Sequence, residues 1–250
     1  MITFNTNIEE ELKLLGNKVN LLTSRNISYM VARAMTETAK EAQKVLKQSM
    51  SRYIEDGPVP FTANSTFVRF AKPSDLSVEV GFKQFASKGT AAGRYLQPGA
   101  AGGTRPAKST ERQLRNAGLL RPSEFIVPAD VTPLKLNNYG NITGGKYTQM
   151  LSRLKSFGEQ GYQANIASNA SKEKRNYFIG TPGGLPRGIY ARVGYKKRGF
   201  HTVFHITQAP KYSQTFPIAD ILNAAYAKAW KSQLQTAFSA ELGSRIVQKN

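Results

Sequence analysis

NISYMVARAMTETAKEAQKVLKQSMSRY, residues 26–53, is a long segment whose apolar side chains recur every three or four positions. This spacing places them on one face of a single amphipathic helix. Asn26 is a favourable N-cap residue, and Asp56-Gly57-Pro58 ends the pattern. Helical spacing also extends upstream, so we expect helical structure over residues 8–54. An apolar stripe with three methionines is more typical of a core or a subunit interface than of a ligand site.

A second long helix is predicted at the other end of the chain, over residues 217–246. Pro217 suits the first helical position, and an apolar stripe follows it. Between the two helices, alternating apolar and polar residues predict a hairpin over 62–82 and further strands within 176–208. A shorter helix is predicted over 145–157. Together these elements predict the α+β class, in which an antiparallel sheet packs against long N- and C-terminal helices.

The middle of the chain has no regular pattern. Residues 83–144 are rich in Gly, Pro and basic side chains, which predicts an extended loop or docking segment. Within this segment, Thr110 and Gln113 match a capping box at the start of a short helix. Residues 158–175 are small and polar, which predicts a flexible insertion. We interpret the whole chain, residues 1–250, as a single elaborated domain.

The chain is strongly basic. It contains 35 Lys and Arg against 16 Asp and Glu, a formal net charge of +19. Residues 83–121 and residues 172–198 each hold eight basic side chains and one acid, so these two stretches carry most of the excess. A charge of this size predicts an anionic partner, which could be nucleic acid, an anionic membrane or an acidic protein surface. A solvated basic surface without a partner is the alternative interpretation.

We divide the basic residues into two predicted groups. The first group is expected to contact acidic neighbouring subunits, because it lies in the Gly-rich middle segment; it comprises Arg94, Arg105, Lys108, Arg112 and Arg115. The second group is expected to lie near DNA phosphates, because it clusters at predicted loop tips; it comprises Lys172, Lys174, Arg175, Lys196, Lys197 and Arg198. Glu111 is expected to pair within its own helix.

No arrangement of residues predicts catalysis, a cofactor or a metal. Cys is absent, which excludes a thiol nucleophile and a cysteine zinc site. His201 and His205 lie four apart on a predicted strand without nearby acids, so we interpret them as partly buried polar residues. The run from Gly140 to Lys146 matches only part of a phosphate-binding loop, because Tyr147 replaces the Ser or Thr that would hold Mg²⁺. We interpret it as a glycine turn that leads into a helix.

Further sequence features argue against two other classes. Glu11-Leu12-Lys13 has the E-x-K form of some nucleases, but it lies in a predicted helix rather than on a core strand. The first residues lack the apolar core of a signal peptide, and no apolar run is long enough to span a membrane. We therefore expect a non-enzymatic protein with no membrane partner and no small-molecule substrate.

A series of Gly, Pro and single charged positions resembles a known family. In chain order it comprises Leu96-Gln97-Pro98, Gly102-Gly103-Thr104-Arg105, Lys108, Glu111, Leu114, Gly118-Leu119-Leu120, Val127-Pro128, Tyr139-Gly140-Asn141, Gly144 and Leu151-Ser152. The distal part continues with Tyr177-Phe178-Ile179-Gly180, Gly188-Ile189-Tyr190, Tyr212 and Phe216-Pro217, followed by the long helix. This order resembles virion proteins of tailed bacteriophages, in the minor tail protein Z or tail-completion family of the neck.

The resemblance implies a structural component at the head–tail junction. The expected partners are other copies of the chain in a homo-oligomeric ring, together with other neck, tail and portal-proximal proteins. Non-specific contact with genomic DNA is expected along the channel. The expected location is the virion, after assembly in the cytoplasm of the bacterial host. A sequence-independent nucleic-acid-binding protein of phage packaging or replication is the alternative, and a nuclease is a weaker third interpretation.

Overall fold

The computed structural model describes residues 1–5, 24–87, 89–130, 132, 134, 136–138, 140–158, 176–193 and 199–247. The chain divides into two compact units. Residues 1–102 and 213–250 form the first, here called the helical unit, and residues 103–212 form the second, here called the sheet unit. The sequence indicated one elaborated domain, and the boundaries at 102/103 and 212/213 carry no sequence signal that distinguishes them from other loops.

Seven α-helices and nine strands are assigned within the described residues. The helices are α1 (Ser24–Tyr53), α2 (Pro60–Ala63), α3 (Ala92–Tyr95), α4 (Gln97–Ala101), α5 (Ser109–Asn116), α6 (Gly144–Arg153) and α7 (Ile218–Val247). The strands are β1 (Ile2–Asn5), β2 (Thr66–Arg69), β3 (Ser77–Phe82), β4 (Gly103–Thr104), β5 (Phe125–Pro128), β6 (Asn176–Gly180), β7 (Gly188–Val193), β8 (Gly199–Thr207) and β9 (Lys211–Tyr212).

The helical unit packs two 30-residue helices, α1 and α7, with an antiparallel sheet of order β1-β3-β2. The predicted α+β class with long N- and C-terminal helices is therefore confirmed. The three methionines of the α1 stripe, Met30, Met35 and Met50, are all buried in the core, as the sequence predicts. Strand β1 was not predicted; it pairs with β3, and Phe4 on it stacks on Tyr226 of α7 with ring centroids 3.8 Å apart.

The sheet unit is built on a four-stranded antiparallel sheet of order β5-β8-β7-β6. Its core contains side chains from the sheet and from α5 and α6, among them Leu114, Met150, Ile189 and Phe204. A separate two-stranded ribbon, β4 with β9, closes the unit where the chain enters and leaves it, because Gly103 pairs with Tyr212. The described part of the chain thus forms three antiparallel sheets, where the sequence predicted one.

Two predicted segments differ in extent from the structure. The helix predicted over 145–157 ends at Arg153, and the chain turns through Lys155 and Gly158, which have positive φ angles of 56° and 74°. The segment 83–144, predicted as extended loop, contains α3, α4, β4, α5 and β5 and contributes to both units. The predicted flexible insertion at 158–175 and the helical residues before 24 fall almost wholly outside the described residues. No helix in the described part of the chain has the length and apolar character needed to cross a membrane.

Candidate functional site

A buried ion pair lies in the sheet unit, where β4 leads into α5. The Arg105 guanidinium donates two hydrogen bonds to the Glu111 carboxylate, at 2.8 Å from Nη1 and 2.6 Å from Nη2. The side chain of Glu111 is fully buried, and that of Arg105 is 9% exposed. A bidentate pair of this kind fixes both side chains, because the planar guanidinium matches the two carboxylate oxygens.

The Glu111 carboxylate also accepts two backbone hydrogen bonds, from Lys108 at 2.6 Å and from Ile126 at 2.9 Å. Arg105 donates in turn to the Ile126 carbonyl at 3.2 Å. Burial alone would raise the pKa of Glu111, but the hydrogen bonds from Arg105, Ile126 and Lys108 outweigh burial and lower it. The same carboxylate holds the pKa of Arg105 above its ordinary value. The network ties the start of α5 to β5.

This network corrects the predicted capping box. The helix begins with Lys108 as its N-cap residue, one position outside Ser109, and Glu111 is the residue whose carboxylate accepts the N-cap N–H. Thr110 and Gln113 therefore do not form the predicted pair. Glu111 does pair, but with Arg105, which precedes the helix in the chain.

A second buried acid, Glu124, lies next to the first network. Its carboxylate accepts from the Arg121 N–H at 2.8 Å and lies 3.2 Å from Nε of Arg187. The Glu124 carbonyl accepts from Arg115 at 2.7 Å. The guanidinium groups of Arg105 and Arg115 lie 5.2 and 4.8 Å from the centre of the Phe125 ring, within cation–π distance. Each of the two buried acids in the described part of this unit therefore has an arginine beside its carboxylate.

The predicted assembly residues separate into two kinds. The guanidinium of Arg105 is nearly buried and is engaged within the chain by Glu111 and the Ile126 carbonyl, so little of it is left for an acidic neighbour. Arg115 is half-buried, and its guanidinium likewise serves Glu124 and Phe125. Arg94, Lys108 and Arg112 are exposed, and for them partner contact stays a prediction. Arg94 belongs to the helical unit, where it lies 5.9 Å from the centre of the Phe85 ring.

The predicted DNA-proximal residues, Lys172, Lys174, Arg175, Lys196, Lys197 and Arg198, lie outside the described residues, as does Glu11-Leu12-Lys13.

His201 and His205 are both exposed on β8, so the prediction that they are partly buried is wrong. Within the described ranges, no three His, Asp or Glu side chains come together as metal ligands. The run from Gly140 leads into α6 at Gly144, which confirms the glycine turn.

The positive charge is concentrated in the sheet unit. Residues 103–212 hold 18 Lys and Arg against 5 Asp and Glu, which is +13 of the total +19. Two of those five acids, Glu111 and Glu124, are buried beside arginines. Asp130 is exposed, and Glu159 and Glu173 lie outside the described residues. Burial of the acids leaves the described surface of this unit with little negative charge to offset its arginines and lysines.

An aromatic cluster lies on the face of the four-stranded sheet opposite its core. It comprises Phe178 on β6, Tyr190 on β7 and Phe200 on β8, whose ring centroids are 5.7 to 6.3 Å apart. Arg192 on β7 is exposed and lies 5.4 Å from the centre of the Phe178 ring. These four residues were not predicted as a site. The available signal was their spacing, because Phe178 and Arg192 alternate with the buried residues Tyr177 and Ala191 along their strands.

The helical unit leaves large aromatic side chains in solvent. Phe61 is 50% exposed, Phe70 is 56% exposed and Phe85 is 82% exposed. The residue before Phe85, Gln84, lines a cleft of about 350 Å³ together with Phe82, Leu96 and Ile218. An exposed aromatic side chain next to a cleft residue is typical of a surface that binds another protein.

None of the protein-family models, curated proteins or solved structures compared with this chain matches it. The resemblance to the tail-completion family stays a prediction. Function therefore rests on the residues of the chain and on their arrangement.

Proposed function

We propose that the protein is a non-enzymatic structural component of a tailed phage virion, located at the neck or proximal tail. It assembles as a homo-oligomeric ring around the DNA or tail channel, and it contacts neighbouring neck, tail or portal-proximal proteins. The order of Gly, Pro and charged positions described above supports this family. The observation that carries the assembly role is the exposure of Phe85.

Phe85 is 82% exposed, although a phenylalanine side chain gains roughly 1.5–3 kcal/mol when it is fully buried. Its only described ring partner is Arg94, one of the predicted assembly residues. Aromatic and arginine side chains are enriched among the residues that dominate protein–protein interfaces. Phe85 and Arg94 therefore have the chemistry of an anchor for a second copy, and a contact between different surfaces of identical copies closes into a ring when the rotation permits.

Light scattering on the purified protein tests the assembly role. We expect oligomers at micromolar concentration, and we expect Phe85→Ser to shift the population towards monomer. Phe70→Ser is the matched control, because it removes an exposed ring of the same unit that also has a cation over it, the Lys40 ammonium at 5.3 Å from its centre. A monomer in both the native protein and the control, with no rings in negative-stain images, would contradict the proposal.

A second candidate function is sequence-independent nucleic-acid binding. It is favoured by the division of charge, because the sheet unit carries +13 of the +19 and two of the three acids in its described part are buried. Non-specific binding of this kind is electrostatic, so the logarithm of affinity falls linearly with the logarithm of salt concentration. Titration of unrelated DNA sequences at several salt concentrations tests it. Equal affinities with a steep salt slope would support the candidate, and absence of binding at low salt would exclude it.

A further inference from the structure

We propose that the outer face of strands β6, β7 and β8, formed by Phe178, Phe200 and Arg192, binds single-stranded nucleic acid by stacking a base on Phe200. We call these three residues, together with Tyr190, the aromatic face. The inference rests on the second candidate function and gives it a location and a class of ligand.

The strand register brings the aromatic face together. Phe178 lies opposite Tyr190, and Arg192 lies opposite Phe200. The alternate residues Tyr177, Ile189 and Ala191 point into the core of the sheet unit. Because side chains alternate across a strand, the four residues of the aromatic face lie on the other side of the sheet.

The rings are held in place before any ligand arrives. Tyr190 is only 1% exposed, and its hydroxyl donates a hydrogen bond to the Pro186 carbonyl. The Phe178 ring stacks on Tyr190 at 25°, and the Phe200 ring meets Tyr190 edge-on at 85°. Tyr190 therefore forms a buried base for the two phenylalanines, and little side-chain entropy remains to be lost when a ligand binds.

The outer part of the face is open to solvent and positively charged. Phe200 is 36% exposed, and Arg192 is exposed. Arg192 lies over Phe178, and among the described residues no carboxylate is within ion-pair distance of its guanidinium. A cation beside partly exposed rings, on a unit of net +13, is complementary to an anionic ligand with flat apolar surfaces.

Single-stranded nucleic acid fits this chemistry better than the other polyanions. Its unpaired bases present flat faces to aromatic rings, while its phosphates supply charges for arginine. A duplex hides the base faces in its stack, so it could use only the arginines and lysines. An acidic protein segment would pair with Arg192 but would gain little from the exposed ring of Phe200. Stacking is tolerant of sequence, which agrees with sequence-independent binding.

Fluorescence anisotropy on the full-length protein tests the inference, with labelled oligothymidylate and oligouridylate as single strands and a mixed-sequence duplex of equal length. Phe200→Leu removes the ring and retains an apolar side chain, and Arg192→Gln removes the charge. The matched control is Arg112→Gln, an exposed arginine on α5 in the same unit. Thermal unfolding of each variant checks that the fold is kept.

We expect Phe200→Leu to weaken single-strand binding by about tenfold and to leave duplex binding unchanged, since stacking on one ring is removed. Arg192→Gln should weaken single-strand binding more than Arg112→Gln does. The ratio between oligothymidylate and oligouridylate shows whether DNA or RNA is preferred. If Phe200→Leu keeps its fold and binds single strands as the native protein does, the inference is overturned.

Two further outcomes separate this inference from the function on which it rests. Nucleic acid bound with a steep salt slope but without any effect of Phe200→Leu overturns the aromatic face and leaves the second candidate function intact. No binding of any nucleic acid overturns both. Complete competition by polyglutamate at equal charge overturns the inference in favour of an acidic protein partner.

Discussion

The helical unit and the sheet unit differ in what they bury. In the described part of the helical unit, the buried polar side chains are the hydroxyl residues Thr38, Thr62, Ser65 and Thr66. The sheet unit buries two carboxylates, Glu111 and Glu124, each beside arginines. The helical unit depends on apolar packing between α1, α7 and its sheet. In the described residues, the ion pairs of the sheet unit involve buried acids, whereas those of the helical unit lie on its surface.

The buried acids of the sheet unit show how one chain can carry a high positive charge and still fold. A carboxylate on the surface would offset the basic side chains and reduce attraction to an anionic partner. The same carboxylate buried among arginines supports the fold, and the arginines shield it from the surface. The two units are therefore expected to respond differently to core substitutions, to acid and to salt.

The largest expected effect comes from removing the buried acid. Glu111→Ala leaves the Arg105 guanidinium buried without its carboxylate and leaves the Lys108 and Ile126 N–H groups unpaired. We expect a loss of about 3–5 kcal/mol in the free energy of unfolding of the sheet unit. Hydrogen exchange at Ala191 on the central strand β7, compared with Leu46 in the helical unit, would show which unit loses protection. Arg112→Ala, on the exposed side of the same helix, should change stability by less than about 0.5 kcal/mol.

A cavity in the apolar core is the corresponding test of the helical unit. Leu222 on α7 is fully buried in the core shared with α1. We expect Leu222→Ala to cost about 2–5 kcal/mol, measured by urea denaturation, because the buried apolar groups of the leucine are removed and a cavity remains. The loss of stability should be the same at neutral and mildly acidic pH. A strongly pH-dependent loss would contradict purely apolar stabilisation of this unit.

Acid is expected to weaken the sheet unit through Glu111. The pKa of Glu111 is lowered on folding, so the folded state binds fewer protons at this carboxylate than the unfolded chain does. Its contribution to stability is complete above its ordinary pKa of 4.5 and is lost as pH falls through the lowered value. Unfolding free energies measured across this range should fall less steeply in Glu111→Ala than in the native protein. Parallel curves for the two proteins would show that another group controls the acid response.

The smallest expected effect concerns DNA contact by the predicted loop residues. If Lys196, Lys197 and Arg198 neutralise phosphates, replacing all three with Ala should flatten the salt dependence of duplex binding by about 0.9 in log K for each phosphate that is no longer neutralised. Lys108→Ala/Arg112→Ala is the comparison pair from the predicted assembly group. We expect that pair to impair particle completion with little change in the salt slope. Normal assembly with a flattened slope for Lys108→Ala/Arg112→Ala would reverse the two assignments.

The sequence predicted the long helices well because their patterns are long and uninterrupted. The stripe around Met35 and the Pro217 start each place many apolar residues at helical spacing, so single exceptions do not matter. The buried ion pair could not be predicted in the same way. Arg105 precedes α5 and Glu111 lies in its first turn, and nothing in their spacing distinguishes a buried pair from two surface charges. Spacing also led to the wrong capping box: Thr110 and Gln113 match the pattern, but Glu111 is the residue that accepts the hydrogen bond from the N-cap N–H.

The aromatic face was missed for a different reason. Each of its strands is short, and alternation predicts only that a residue lies on one side or the other. Whether Phe178, Tyr190 and Phe200 meet depends on the order β8-β7-β6 and on the register between the strands, which also shifts between Ile189 and Tyr190. Strand order and register come from contacts distant in sequence, and neither is encoded in local periodicity.

The ribbon of β4 and β9 makes the sheet unit a part of the gene that can be exchanged as one segment. Its first and last residues, Gly103 and Tyr212, are paired neighbours, so the module begins and ends at almost the same point. The helical unit has hydrogen bonds of its own between the two chain segments that flank the sheet unit. The backbone N–H groups of Thr215 and Phe216 donate to the Gly99 carbonyl, and the Gln214 side chain donates to the Ala100 carbonyl. Recombination at these two points can lengthen, replace or remove the basic sheet unit while the helical unit keeps its own sequence and reading frame. The charge of the protein can thus evolve separately from its scaffold.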